Sequence, residues 1–361
     1  MKFKILKKIE LSGKWLLNRF LQLVLSRNPF EQLDPLQFRK LLLLRLDSRI
    51  GNGIMLLPLL NSIKKERPDI ELHLVINPAI ADLFSEFFPG TIDKTWVYDQ
   101  KKLLKNPLRF WEWLRKLRKE NFDLILSSHN TDNFSLSQAL LGRWCKPKVL
   151  VGFDWKDSRK FYDIAIKSSP NIHYARAQFD LWKYFYPQAH FEMGRLKIPY
   201  QLVDKYRKKW KDGMNFKGIL FWLGATGDKV LPSELVMFLD ESIPNFTHLP
   251  VNYALGSADQ SILDKYPPVI RDKAIIWNKP LKETALFFSM FDLFISGDTG
   301  PMHLAVASGI PTLTVFLSTN LKQYGYIDHR KHFSVKYDGS AECRARILEY
   351  LKKLTRLIEK V

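Results

Sequence analysis

The stretch from Phe291 to Asn320, FDLFISGDTGPMHLAVASGIPTLTVFLSTN, constrains the fold more than any other part of the chain. Leu293-Phe294-Ile295-Ser296 is a short apolar run bounded by polar turn residues, which suits a buried strand. Gly297-Asp298-Thr299-Gly300-Pro301 then breaks the period. Pro301 fits the first turn of a helix, where a missing N–H costs nothing. The spacing predicts a helix over 303–308, ended by Gly309 and Pro311, and a strand over 312–316. A Gly-rich turn feeding a helix start presents unpaired N–H groups and the positive end of a dipole, so it suits an anion. In open α/β sheets, ligands sit at this end of the strands. Taken alone, the stretch also reads as an ordinary βαβ connection.

The same alternation runs through the rest of the chain. Strands are predicted at 41–44, 71–76, 94–98, 123–127 and 148–152. Helices are predicted between them at 54–67 (with a kink at Pro58), 79–87, 106–120 and 135–143. Residues 171–212 read as a helical connection. A second series begins at 217–223 and continues with helices at 232–240, 258–266 and 282–290 and strands at 251–255 and 274–277. A last helix is expected over 341–361. Strands alternating with helices argue for parallel, doubly wound sheets. Two such halves in 361 residues suggest two domains, with a boundary between about 195 and 216.

The formal charge is +19, which calls for an acidic partner: nucleic acid, an anionic membrane or a phosphorylated substrate. No nucleic-acid module signature is found. The only cysteines, Cys145 and Cys343, lie far apart without metal-ligand spacing, so neither a disulfide framework nor a metal is expected and a reducing compartment fits. No run is apolar enough to span a bilayer. Residues 1–34 are basic and amphipathic, suited either to lying on an anionic membrane or to packing on the protein itself. Residues 101–119 combine Lys101, Lys102, Lys105, Arg109, Arg115, Lys116, Arg118 and Lys119 with Trp111 and Trp113. They suit an anionic lipid surface, a phosphorylated acceptor, or simply a solvated helix face.

Asp298-Thr299-Gly300-Pro301-Met302-His303-Leu304-Ala305, followed by Ser308-Gly309-Ile310-Pro311-Thr312 and Phe316, resembles the signature of glycosyltransferase family 9, the ADP-heptose:lipopolysaccharide heptosyltransferases and relatives. The resemblance covers roughly residues 41–320. It implies an α/β fold of the GT-B type: two facing Rossmann-like domains with parallel sheets and a cleft between them. On that frame residues 35–200 form an acceptor domain, 215–340 a nucleotide-sugar donor domain and 341–361 a C-terminal helix. The implied reaction is inverting, metal-independent transfer of a sugar, ADP-linked heptose in the best-known members, onto a lipid-linked saccharide. No cofactor beyond the nucleotide sugar and no nucleic acid are implied. The implied site is cytoplasmic, at the inner face of the membrane of Gram-negative bacteria.

Residue by residue, the resemblance implies four loops. Arg45-Leu46 and Ile50-Gly51, with Pro58 seven residues after Gly51, match the first motif; one residue is inserted, and Asn52 stands where the family carries an acid taken as general base. A neutral amide cannot take the acceptor's proton, help worth roughly 10²–10⁴ in rate. Asp47 in the same loop could, or could simply cap its own backbone. His129 and Asp132 follow a strand at the same sheet edge and, with Arg45 and Gly51, are acceptor-side candidates. Gly224-Ala225-Thr226-Gly227-Asp228-Lys229 resembles the phosphate loop, with Lys229 three residues before Pro232. Thr226 and Lys229 would hold the diphosphate, and Lys229 would neutralise the leaving group. Asp259 or Gln260 would meet the ribose, unless Ser257 and Gln260 merely form a capping box. Thr299 and Gly300 N–H groups would meet the diphosphate, Asp298 sugar hydroxyls, and His303 would line the pocket. The replacement of the acid by Asn52 also admits a catalytically impaired member that binds saccharide or nucleotide as a scaffold.

Overall fold

The structure is a computed structural model and describes residues 34–210, 216–328 and 330–359. The basic N-terminal helix expected over 1–34 therefore lies outside the described residues, apart from Asp34.

The chain divides into two compact units. One comprises the residues up to Asp47, Pro58–Ala81 and Gly90–Glu192; the other comprises Ser48–Leu57, Asp82–Pro89 and Met193–Val361. Each carries one six-stranded sheet, and every pairing in both is parallel.

In the first unit β1 (Lys40–Arg45), β2 (Glu71–Ile76), β3 (Lys94–Val97), β4 (Leu124–Ser127), β5 (Val149–Phe153) and β6 (Ile164–Ile166) lie in the order β3-β2-β1-β4-β5-β6. Leu41 to Leu44 of the central strand are fully buried, as both faces of a parallel sheet are covered by helices. Burying each such side chain contributes about 1.5–3 kcal/mol.

In the second unit β7 (Ile219–Trp222), β8 (Val251–Gly256), β9 (Ile275–Trp277), β10 (Leu293–Gly297), β11 (Thr312–Phe316) and β12 (His332–Lys336) lie in the order β12-β11-β10-β7-β8-β9. The doubly wound order of the first sheet is thus repeated, and the fold is α/β of the GT-B type. Where the order reverses, β10 lies beside β7, with Leu293 opposite Ile219 and Ser296 opposite Trp222. The loops leaving those two strands open at one edge of the sheet, the place where doubly wound sheets bind ligands.

Local differences from the expected elements have physical reasons. The predicted 54–67 helix is two helices, Ile50–Ile54 and Leu57–Glu66, and Pro58 sits in the first turn of the second instead of kinking one long helix. The signature helix starts earlier than expected, at Gly300, because Pro301 is tolerated there. The predicted 258–266 helix is 3-10 helical over Ser257–Lys265; its N-cap is Gly256, with no side-chain capping bond. The predicted 171–212 connection is two helices, Tyr174–Lys183 and Tyr200–Lys209, and residues 188–199 between them are irregular. The strands β6 and β12 fall in segments for which no element is predicted; both are short edge strands.

Candidate functional site

Within the second unit, the loop ends of β7, β8, β10 and β11 surround a cavity of about 610 Å³. That lies in the range of ordinary ligand pockets. Thr226, Lys229, Asp259, Asp298, Thr299, Gly300 and His303 all line it, and so do Gly51 and Asn52 of the Ile50–Ile54 helix. Gln260 is exposed and does not line it; the 3-10 turn carries Asp259 inward instead.

Asp298 is the hub. It is almost fully buried, and its Oδ2 accepts from Lys229 Nζ at 3.0 Å and from the Thr319 hydroxyl. Lys229 is thereby aimed across the mouth of the pocket on a side chain still 31% exposed. The Gly300–Ala307 helix begins at the same wall. Its N-cap, Thr299, makes no side-chain capping bond, and the buried Thr299 hydroxyl has no hydrogen-bond partner among the described residues. The first turn therefore offers backbone N–H groups and a positive dipole end to the cavity. An anion placed there would meet a lysine and a helix start together.

His303 forms the floor beside the Ile50–Ile54 helix. Its Nδ1 shares a hydrogen bond of 2.9 Å with the Tyr326 hydroxyl. Burial, and after it the charge of Asp298, push the Tyr326 phenol above its usual range. Backbone and ring approach so closely here that a Cβ on Gly51 would lie 2.4 Å from His303 Cδ2. At the opposite wall a Cβ on Gly224 would lie 2.7 Å from Asp259 Oδ2 and 2.9 Å from Trp222 Nε1. The Trp222 N–H is buried without a partner among the described residues. Burial holds the Asp259 carboxyl above the usual carboxylate range.

The remaining sequence candidates belong to the first unit. Arg45 is fully buried at the end of β1. Its guanidinium donates to Ser128 O and Tyr174 Oη, both at 2.7 Å, and to Asn130 Oδ1 at 3.2 Å, and it pairs with Asp47. Asp47 is thus a partly exposed carboxylate held by a buried arginine. His129 is partly buried; burial first, and then the Arg45 charge, lower its pKa. Asp132 is exposed.

Among the described residues, Glu71, His73 and Glu120 approach one another closely enough to ligate a metal. Lys40 pairs with both carboxylates, at 3.1 and 2.9 Å, and Lys94 pairs with Glu120, so the group reads as an ion-pair cluster at the start of the sheet.

The sequence profile of glycosyltransferase family 9 (heptosyltransferase) matches residues 110–353. The chain belongs to that family. It is therefore a glycosyltransferase of the heptosyltransferase type. A lipopolysaccharide heptosyltransferase 1 from Campylobacter coli is 26% identical over 300 residues, covering 78% of this chain and 84% of the relative. Solved structures share the fold at low identity. The E. coli ADP-heptose lps heptosyltransferase II superposes with a TM-score of 0.68 at 14% identity, covering 89% of this chain and 100% of that one. An E. coli heptosyltransferase solved with ADP-2-deoxy-2-fluoro heptose gives 0.59 at 15% identity, covering 89% and 98%.

Sequence reasoning missed Ser48, Arg49, Thr319 and Tyr324, which line the pocket, and Tyr326, which holds His303. Thr319 had a usable signal: it lies in the signature stretch, just past the end of β11 at the same sheet edge. Tyr326 had none, since it lies in irregular chain between a short helix and an edge strand.

Proposed function

We propose that the protein transfers heptose, with inversion, from ADP-heptose to a lipid-linked saccharide of the lipopolysaccharide core. The observation that carries this is the convergence of Lys229, Asp298, Thr319 and the start of the Gly300–Ala307 helix on one pocket at the sheet's switch point. Family membership supports the reaction class, and the ligands and names of the relatives support the donor and acceptor.

In this reading the diphosphate lies against the N–H groups of Thr299 and Gly300, with Thr226 and Lys229 on its outer oxygens. Asp259 accepts from the ribose hydroxyls. Asp298 faces the sugar while steering Lys229. An acceptor hydroxyl attacks the anomeric carbon from the face opposite the diphosphate; the new C–O bond forms as the carbon–phosphate-oxygen bond breaks. The electron pair leaves on ADP, where Lys229 and the helix dipole stabilise it. A lysine and a helix start supply the positive charge that other enzymes draw from a divalent cation. The acceptor's proton goes to Asp47, which Arg45 holds at the end of β1. Asn52 contributes an amide that orients hydroxyls. A lipid-linked acceptor places the reaction at the inner face of the cytoplasmic membrane, with the protein peripheral to it.

Asn52 favours a second reading, a member that binds nucleotide or saccharide without turnover. Calorimetric titration with ADP, UDP, GDP and CMP, followed by turnover assays with the matching sugar nucleotides and an acceptor extract, separates the two. ADP selectivity with transfer is the expected result. ADP binding without transfer would favour the scaffold, and no nucleotide binding would sink the transferase and leave only a saccharide-binding scaffold.

A further inference from the structure

The Pro107–Arg118 helix of the first unit has two apolar faces where a solvent-facing helix has use for one. Its inner stripe, Leu114 and Leu117 with Phe110 and Trp113 beside them, packs into the core with Tyr98 and Phe122. Leu108 and Trp111 point the other way and are 83% and 48% exposed. They lie three residues apart, hence side by side on the helix surface. Arg115 and Lys119 continue the same outward stripe, and both are exposed.

The charges around this pair are mostly positive. Lys101, Lys102, Lys105, Arg109 and Lys116 are exposed on this helix and on the preceding Gln100–Lys105 helix. The two acids in residues 99–119 are already engaged. Asp99 caps the first helix through Lys102 N, and Glu112 pairs with Lys116 at 2.7 Å. Beside the stripe, Trp111 packs on Trp144 with ring centroids 4.7 Å apart, and the Arg118 guanidinium lies 5.5 Å above the Trp144 ring. These residues with Arg115, Lys119 and Asn121 line a basic hollow of about 510 Å³.

We infer that this face, with Leu108 and Trp111 at its centre and lysines and arginines around them, is the surface by which the protein docks on an anionic phospholipid bilayer. A Trp and an aliphatic side chain side by side suit the boundary between headgroups and acyl chains, and the flanking cations suit the headgroup phosphates. An aliphatic residue at the most exposed position is useless for stacking on bases, which distinguishes the face from a single-strand nucleic-acid platform. The hollow beside Trp144 gives one headgroup phosphate a guanidinium-lined seat. The inference rests on the reading that the acceptor is lipid-linked.

The test is cosedimentation of the full chain with phosphatidylethanolamine vesicles containing 30% phosphatidylglycerol, against phosphatidylcholine vesicles. The wild type should bind the anionic vesicles, and binding should weaken as salt rises. Leu108→Ser/Trp111→Ser should lower the partition coefficient at least tenfold. Lys101→Gln/Lys102→Gln/Lys105→Gln should lower it too, by roughly fivefold per charge removed, and only on anionic vesicles. The three lysines are exposed, so the lysine variant should keep the wild-type melting temperature, whereas Trp111→Ser gives up its packing on Trp144 and should melt a few degrees lower; ADP affinity should stay at the wild-type value in both. Equal vesicle binding by wild type and the Leu108/Trp111 variant, or equal binding to both lipids, would overturn the docking face while leaving nucleotide binding and transfer to a delipidated acceptor untouched. Loss of nucleotide binding in the wild type would sink the transferase reading and not the vesicle result.

Discussion

Gly51→Ala is the smallest change that tests how the pocket floor is built. Gly51 lies in a helix, where alanine is otherwise favoured by up to about 1 kcal/mol. The added methyl, however, would stand 2.4 Å from His303 Cδ2, 3.1 Å from Nε2 and 3.2 Å from Cγ. The ring has little room to yield: it is buried and bonded to Tyr326 at 2.9 Å. Overpacking of this kind costs about 1–3 kcal/mol, and breaking the Tyr326 bond to escape it costs about 1 kcal/mol. The net expected effect is destabilisation by about 1–3 kcal/mol, a melting shift of a few to about ten degrees. His303 would also turn into the cavity, so ADP affinity should fall about tenfold in the same preparation. Differential scanning calorimetry with and without ADP reads both. In a His303→Ala background Gly51→Ala should cost little, because the clash and not the backbone is at fault. A Gly51→Ala protein that melts at or above wild type and binds ADP normally would refute the packing argument.

Lys229→Ala should weaken ADP binding by tenfold or more and cut turnover further, since the lysine is asked to stabilise the leaving diphosphate; wild-type kinetics would remove it from the mechanism. Asp47→Asn should lower kcat by roughly 10²–10⁴ with ADP affinity unchanged, and a full rate would exclude it as the base. Tyr326→Phe should leave the fold intact but raise the donor KM severalfold by freeing the His303 ring; unchanged KM would confine Tyr326 to packing. Stability should fall as pH drops from about 6.5 to about 4, because burial holds His332 at about 4 and the unfolded chain takes up that proton first. His332→Asn, which keeps a partner for Thr312, should flatten that part of a urea-midpoint profile, and an unchanged slope would assign the loss to other groups.

The parts of this molecule legible in sequence are those whose signal is local. The leucines of β1, the Gly–Pro punctuation around the signature helix and the alternation of strand and helix each declare themselves within ten residues. The doubly wound sheets follow from them. β6 stayed hidden because Ile-Ala-Ile is too short a run to declare a strand, and β12 because His-Phe-Ser-Val-Lys alternates over only two apolar residues although the strand buries polar side chains as well. The resemblance puts Gln260 on the family's position and Asp259 one place before it, and the 3-10 turn after β8 brings Asp259 to the pocket.

The site itself is legible by residue type and illegible by partnership, and parallel register explains why. Phe294 pairs with Thr312 and Thr312 with His332, so neighbouring strands are offset by about twenty residues of sequence. The loops that leave them at the same edge are offset likewise. Asp298 after β10 therefore meets Thr319 after β11, and His303 meets Tyr326 ahead of β12, at separations of 21 and 23 residues. The signature stretch contains Asp298 and Thr319 without marking them as partners, and Tyr326 lies beyond it, yet these contacts set the direction of Lys229 and the orientation of the His303 ring. The signature supplies groups that can bind a diphosphate; the strand order supplies the side chains that hold those groups still. A substitution at Thr319 should accordingly perturb the donor site as much as one at Asp298, its partner.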